Sequence, residues 1–133
     1  MISSDVIKAL RNGTVPLEGT ELIAVGIDKE LNEIENQLNK VKNGSGDFKF
    51  IIGDYGSGKT FFASSARRLA YDKKFIVSSV VISSETPLNK FEEVYKKIIE
   101  NMRTPENKKV PALAIILEEW KIKMEEIICE VND

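Results

Sequence analysis

The sequence predicts an α/β fold, with parallel strands flanked by helices, on three observations. A short apolar run, Phe48-Lys49-Phe50-Ile51-Ile52, leads directly into a glycine-rich loop, Gly53 to Thr60. Helical spacing starts at once after the loop and runs through Phe62, Ala66, Leu69 and Ala70. A second β-branched run, Phe75 to Ser83, comes next. Strand, glycine loop, helix and strand in this order form the unit that builds parallel sheets by right-handed crossover. Both faces of such a sheet need helices, and the remaining segments supply candidates.

From the N-terminus, Ser4 is placed to cap a short helix whose Val6, Ile7 and Leu10 share a face, with Gly13 at its exit. Thr14 to Gly26, broken by Pro16, Gly19 and Gly26, reads as an extended lead-in. Asp28 is expected to cap a helix in which Leu31, Ile34, Leu38 and Val41 form one apolar stripe, ended by Asn43-Gly44. Beyond the second strand, Asn89 or Thr86-Pro87 opens a helix with Phe91, Val94, Tyr95, Ile98 and Met102 on its apolar side. Thr104-Pro105-Glu106-Asn107 breaks it. A last helix is expected from Pro111 to Val131, because Leu113, Ile116, Leu117, Trp120, Met124, Ile127 and Val131 keep helical spacing. The expected organisation is a single domain over 1–133. It has an N-terminal helix and lead-in over 1–26, a core over 27–103 and a C-terminal helix over 110–131.

Composition narrows the function classes. The chain has 133 residues and a formal net charge of −2, with 21 acidic against 19 basic side chains, so its total charge draws it neither to nucleic acid nor to anionic lipid. Its apolar runs are far shorter than a membrane span, and no basic-then-apolar leader opens it, so a cytoplasmic protein without a membrane partner is expected. The single cysteine, Cys129, reads as a spectator thiol. There is no histidine, which removes every mechanism that needs an imidazole from this chain.

Gly53-Asp54-Tyr55-Gly56-Ser57-Gly58-Lys59-Thr60 fits G-x-x-x-x-G-K-[ST] at every defined position. Chance would produce this pattern roughly once in several hundred chains of this length. Phosphate oxygens need many donors from one side, and successive loop N–H groups followed by a helix N-terminus provide them. Gly53, Gly56 and Gly58 allow close backbone approach. Lys59 is expected to reach the β- and γ-phosphates and the Thr60 hydroxyl to ligate Mg²⁺. Phe61, next in the chain, completes the candidate set, and the pattern predicts a P-loop NTPase core binding ATP with magnesium. Ala114 to Leu117 followed by Glu118 and Glu119 is the one candidate for a second acidic strand, but unbroken helical spacing through Ile127 favours a helix there. The hydrolytic half of the site is therefore not expected in this chain. Asn89-Lys90-Phe91-Glu92 reads as a helix cap rather than a guanine-reading element. The four arginines, Arg11, Arg67, Arg68 and Arg103, do not make the phosphate lid of a small-molecule kinase.

The strings from Phe50 to Thr60 and from Val80 to Leu88 resemble the BREX-system ATP-binding domain family of bacterial anti-phage defence ATPases. Val25-Gly26-Ile27-Asp28-Lys29-Glu30-Leu31 also looks like the lead-in of AAA+ ATPases. The resemblance implies a partial AAA+-like core, part of a longer ATPase, with Val25 and Gly26 beside the adenine and turnover completed by other segments or subunits. It implies defence-system proteins or self-association as partners, and DNA by resemblance alone. Ile27 stands where that lead-in commonly has arginine. Glu85, in Glu85-Thr86-Pro87-Leu88, is either part of a strand-to-helix turn or a residue facing the nucleotide edge of the sheet. A competing expectation is a non-catalytic, nucleotide-sensing interaction module with Trp120 and its helix as the contact region.

Overall fold

A computed structural model describes residues 2–16 and 19–131. The side chain of Cys129, expected as a spectator, lies outside the described part. The chain divides into two compact units, Met1–Lys73 and Lys74–Asp133.

The first unit is built on three helices. Helix α1 (Ile2–Arg11) buries Val6, and Gly13, at φ 65°, turns the chain out of it. The Thr14 amide and hydroxyl both donate to the Ala9 carbonyl, at 2.9 and 3.1 Å. A single 3₁₀ turn (Thr20–Leu22) follows, entered through Gly19 at φ 78°, with Thr20 buried. Helix α2 (Asp28–Lys42) begins with Asp28 as its first helical residue; its cap position is Ile27, which has no side-chain acceptor. Asp28 and Glu30 in the first turn and Lys40 and Lys42 in the last complement the helix dipole instead. Leu31, Ile34 and Leu38 are half-buried.

Helix α3 (Lys59–Asp72) packs against α2 and the 3₁₀ turn. Its buried residues, Ser65 and Ala70, are small and permit a close approach; the Ser65 hydroxyl donates to the Phe61 carbonyl at 3.1 Å. Lys73, just past α3, reaches Glu35 Oε1 at 2.8 Å and Asn39 Oδ1 at 3.0 Å on α2. Lys49 pairs with Glu33 of α2 from the connecting segment. These polar ties and small buried side chains, rather than a large apolar core, hold α2 and α3 together.

In the second unit, residues 75–83 belong to no helix and no strand. Val77 and Arg103 exchange backbone hydrogen bonds of 3.0 and 2.9 Å as an isolated antiparallel bridge. Ser78 Oγ donates to the Ile98 carbonyl at 2.7 Å, and Asn101 Nδ2 donates to the Ser79 carbonyl at 3.0 Å. Ser83 and Thr86 then exchange backbone bonds in a turn with Thr86 buried. Helix α4 (Phe91–Glu100) has Lys90, not Asn89, at its cap position, without a side-chain cap. Helix α5 (Ala112–Val131) follows Pro111; the fully buried Ala112 donates its amide to the Met102 carbonyl at 2.9 Å.

The expected α/β class is overturned: among the described residues there are helices and one isolated bridge, and no strand. Apolar alternation makes a segment extended, but a strand exists only when a neighbouring backbone completes its ladder. Among the described residues Phe48 accepts a bond from Gln37 Nε2 at 3.5 Å and gives its amide to Asp47 Oδ1 at 2.8 Å, and no backbone hydrogen bond is made by residues 49–52. The parallel-strand, P-loop NTPase (AAA+-like) core expected from the same residues therefore does not form. No helix among the described residues is long and apolar enough to cross a membrane.

Candidate functional site

The glycine loop turns sharply into α3. Gly56 and Gly58 hold φ 81° and 85°, conformations a side chain would strain, and Gly58 is the cap residue from which α3 departs. A β-carbon on Gly53 would stand 2.5 Å from Ser57 Oγ, so the turn also closes tightly at its start. The Ser57 amide donates to the Asp54 carbonyl at 3.2 Å.

Lys59 folds back over this turn. Its Nζ donates to the Gly53 carbonyl at 2.8 Å and to the Asp54 carbonyl at 2.6 Å. These are charge-assisted bonds, short and roughly twice as strong as neutral ones. The first intrahelical bond is Phe62 N–H to the Gly58 carbonyl, 2.9 Å, so the amides of Lys59, Thr60 and Phe61 have no partner within the helix, and no side chain caps them. The positive end of the helix dipole and an ammonium group thus lie along one exposed loop.

The other expected site residues are not gathered there by any hydrogen bond. Val25 is 88% exposed, and Gly26, at φ 80°, bends the chain into α2. Tyr55 points wholly into solvent. Glu85 lies in the exposed turn before α4, its amide bonded to Ser83 Oγ at 3.2 Å, and among the described residues there is no sheet edge for it to face. Glu118 and Glu119 are exposed on α5, in keeping with the helical spacing. Arg67 bonds Ser64 Oγ at 2.9 Å and Arg68 pairs with Asp72 at 3.7 Å, both within α3.

Charge on the α2 side is organised by ties the sequence did not single out. The Lys49 ammonium hydrogen-bonds and attracts the Glu33 carboxylate and holds its pKa below the usual value. Lysine and glutamate so far apart in the chain carry no sequence signal that they meet.

Compared with known families, the whole chain, residues 1–133, matches the one described as BREX system ATP-binding protein BrxC/D. The chain belongs to the BrxC/BrxD family. No curated protein and no solved structure matches it. Membership associates the chain with a BREX defence complex and bears out the resemblance drawn from Phe50 to Thr60 and Val80 to Leu88.

The local turn does not make this family member a P-loop ATPase domain. The Walker A pattern requires a strand edge beneath it and a second strand bringing a carboxylate to the metal's water shell; neither strand forms among the described residues. Among the same residues no group of His, Cys, Asp or Glu is placed to hold a metal ion. ATP and magnesium as cofactors and the nucleotide-sensing alternative are corrected on these grounds.

Proposed function

We propose that this BrxC/BrxD family member acts as an assembly element of a BREX system, covering its exposed apolar helix faces with other proteins of that system. The observation that carries the proposal is the surface of α4. Phe91 and Tyr95 are 80% and 67% exposed, and Leu88 just before the helix is 63% exposed. On the helix itself Phe91, Tyr95 and Ile98, the last 36% exposed, recur at steps of four and three, the spacing by which an amphipathic helix presents anchors to a groove. Contiguous exposed apolar residues on a helix rimmed by Glu92, Glu93, Lys96 and Lys97 have the make-up of a protein contact. The same proposal carries the cytoplasmic location expected from the sequence.

The test is a binding titration of the chain against purified proteins of the same BREX system. A complex is expected, and Phe91→Glu with Tyr95→Glu is expected to weaken it at least tenfold while leaving helix content intact. A full set of such proteins showing no binding, or binding indifferent to both substitutions, removes the proposal.

A second proposal concerns Gly53, Asp54, Tyr55, Gly56, Ser57, Gly58, Lys59, Thr60 and Phe61 as an oxyanion contact. The unpartnered amides at the start of α3 and the ammonium folded over Gly53 and Asp54 support it. Neither a nucleotide nor a metal is part of it, and Val25 and Gly26 stand outside it. Inorganic phosphate should shift the amide resonances of Gly58, Lys59 and Thr60, and Lys59→Ala should abolish the shift; unperturbed amides would exclude the contact.

A further inference from the structure

Helix α5 carries an apolar stripe along its length. Leu113, Leu117, Trp120, Met124 and Ile127 follow one another at steps of four, three, four and three, the a/d spacing of two heptads, and Val131 continues it in the sequence. That spacing, sustained along a helix, keeps one seam facing a second helix that supercoils with it. In heptad terms Leu117 and Met124 are a positions and Leu113, Trp120 and Ile127 are d positions.

The seam is open. Its five side chains are between 37% and 61% exposed, and among the described residues α5 packs along no other helix of its own unit. Glu118, Glu119 and Glu125 sit at the outward b and c positions. Two such seams closing on each other would remove on the order of 1,000 Å² from water, the size at which a specific interface becomes stable.

Charge chooses the orientation. Lys121 occupies an e position and Lys123 a g position, flanking Trp120 and Met124. In an antiparallel pair with all layers filled, Lys121 would face its own copy and so would Lys123, two like-charge contacts at the centre. In a parallel pair g positions face the e positions that follow on the other chain. Ile116 then meets Lys121, and Lys123 meets Ile128, with no like charges opposed.

We propose that α5 is the self-association element of this chain, pairing with α5 of a second copy as a parallel two-stranded coiled coil along Leu113, Leu117, Trp120, Met124 and Ile127. It rests on the assembly proposal above only in treating the chain as built for partners, and it assigns α5 rather than α4.

Sedimentation equilibrium of the full chain over a wide concentration range tests it. A reversible dimer is expected. Leu117→Glu should weaken self-association at least tenfold, whereas Ile122→Glu, at an outward f position, should leave the dimer intact. Because Leu117→Glu could also damage folding, a second variant reads orientation with little change of shape. Met124→Cys combined with Cys129→Ser should cross-link on mild oxidation, since only parallel chains bring two a positions together. A monomer at every concentration, dissociation by Ile122→Glu as large as by Leu117→Glu, or failure of the Met124→Cys variant to cross-link would each overturn it. Loss of the dimer with BREX-partner binding retained would sink this inference alone; loss of partner binding with the dimer retained would sink only the assembly role of α4.

Discussion

At the residue scale, the loop before α3 depends on two glycines that hold positive φ. Gly58→Ala places a β-carbon in a left-handed conformation at the helix cap, which costs roughly 1–2 kcal/mol. Urea denaturation should show that loss, and Gly46→Ala, whose added β-carbon meets nothing within 4 Å and whose φ is not positive, should show little. The Lys49–Glu33 pair makes a second prediction. Hydrogen bonding and attraction from Lys49 depress the Glu33 pKa in the folded chain, so the tie is present above the unfolded pKa and is lost as pH falls through the lower folded value. An NMR titration should find Glu33 protonating below the ordinary glutamate range and returning to it in Lys49→Ala. Both groups are partly or fully in solvent, so the effect on stability is small. In the second unit Ala112 has no exposed surface, and Ala112→Leu should cost about 1–3 kcal/mol by overpacking.

At the element scale, the helices were legible because their signal is local. Leu31, Ile34 and Leu38 recur on one face of α2, and Leu113 to Ile127 do so on α5; each pattern is visible without knowing what lies beside it. Cap positions were less legible: Asp28 and Asn89 have capping side chains, yet Ile27 and Lys90 occupy the caps. The strands misled for a different reason. Phe48 to Ile52 and Phe75 to Ser83 have strand composition, but pairing is a property of two segments, and among the described residues the one β-bridge is Val77 with Arg103. The octapeptide was legible as a turn into a helix, with Lys59 against Gly53 and Asp54, while the nucleotide chemistry attached to it depends on a sheet that one segment cannot specify. Helix α4 should tolerate truncation of its outer face. Phe91→Ser and Tyr95→Ser should each move stability by no more than about 0.5 kcal/mol, because neither side chain is buried.

At the scale of the whole molecule, little apolar surface is removed from water: Val6, Ala70 and Ala112 are the buried hydrophobic residues among those described, while Phe48, Phe50, Phe91, Tyr95 and Trp120 remain exposed. A chain so composed gains its remaining hydrophobic stabilisation, about 25 cal/mol per Å² covered, when partners cover it. Membership of the BrxC/BrxD family supplies the setting in which such partners exist. Amide hydrogen exchange of the chain alone and mixed with purified proteins of its BREX system puts this to the most direct test. Slowed exchange confined to Phe91–Met102 and its flanks on mixing is the predicted result. Identical exchange along α4 in both samples would contradict the account.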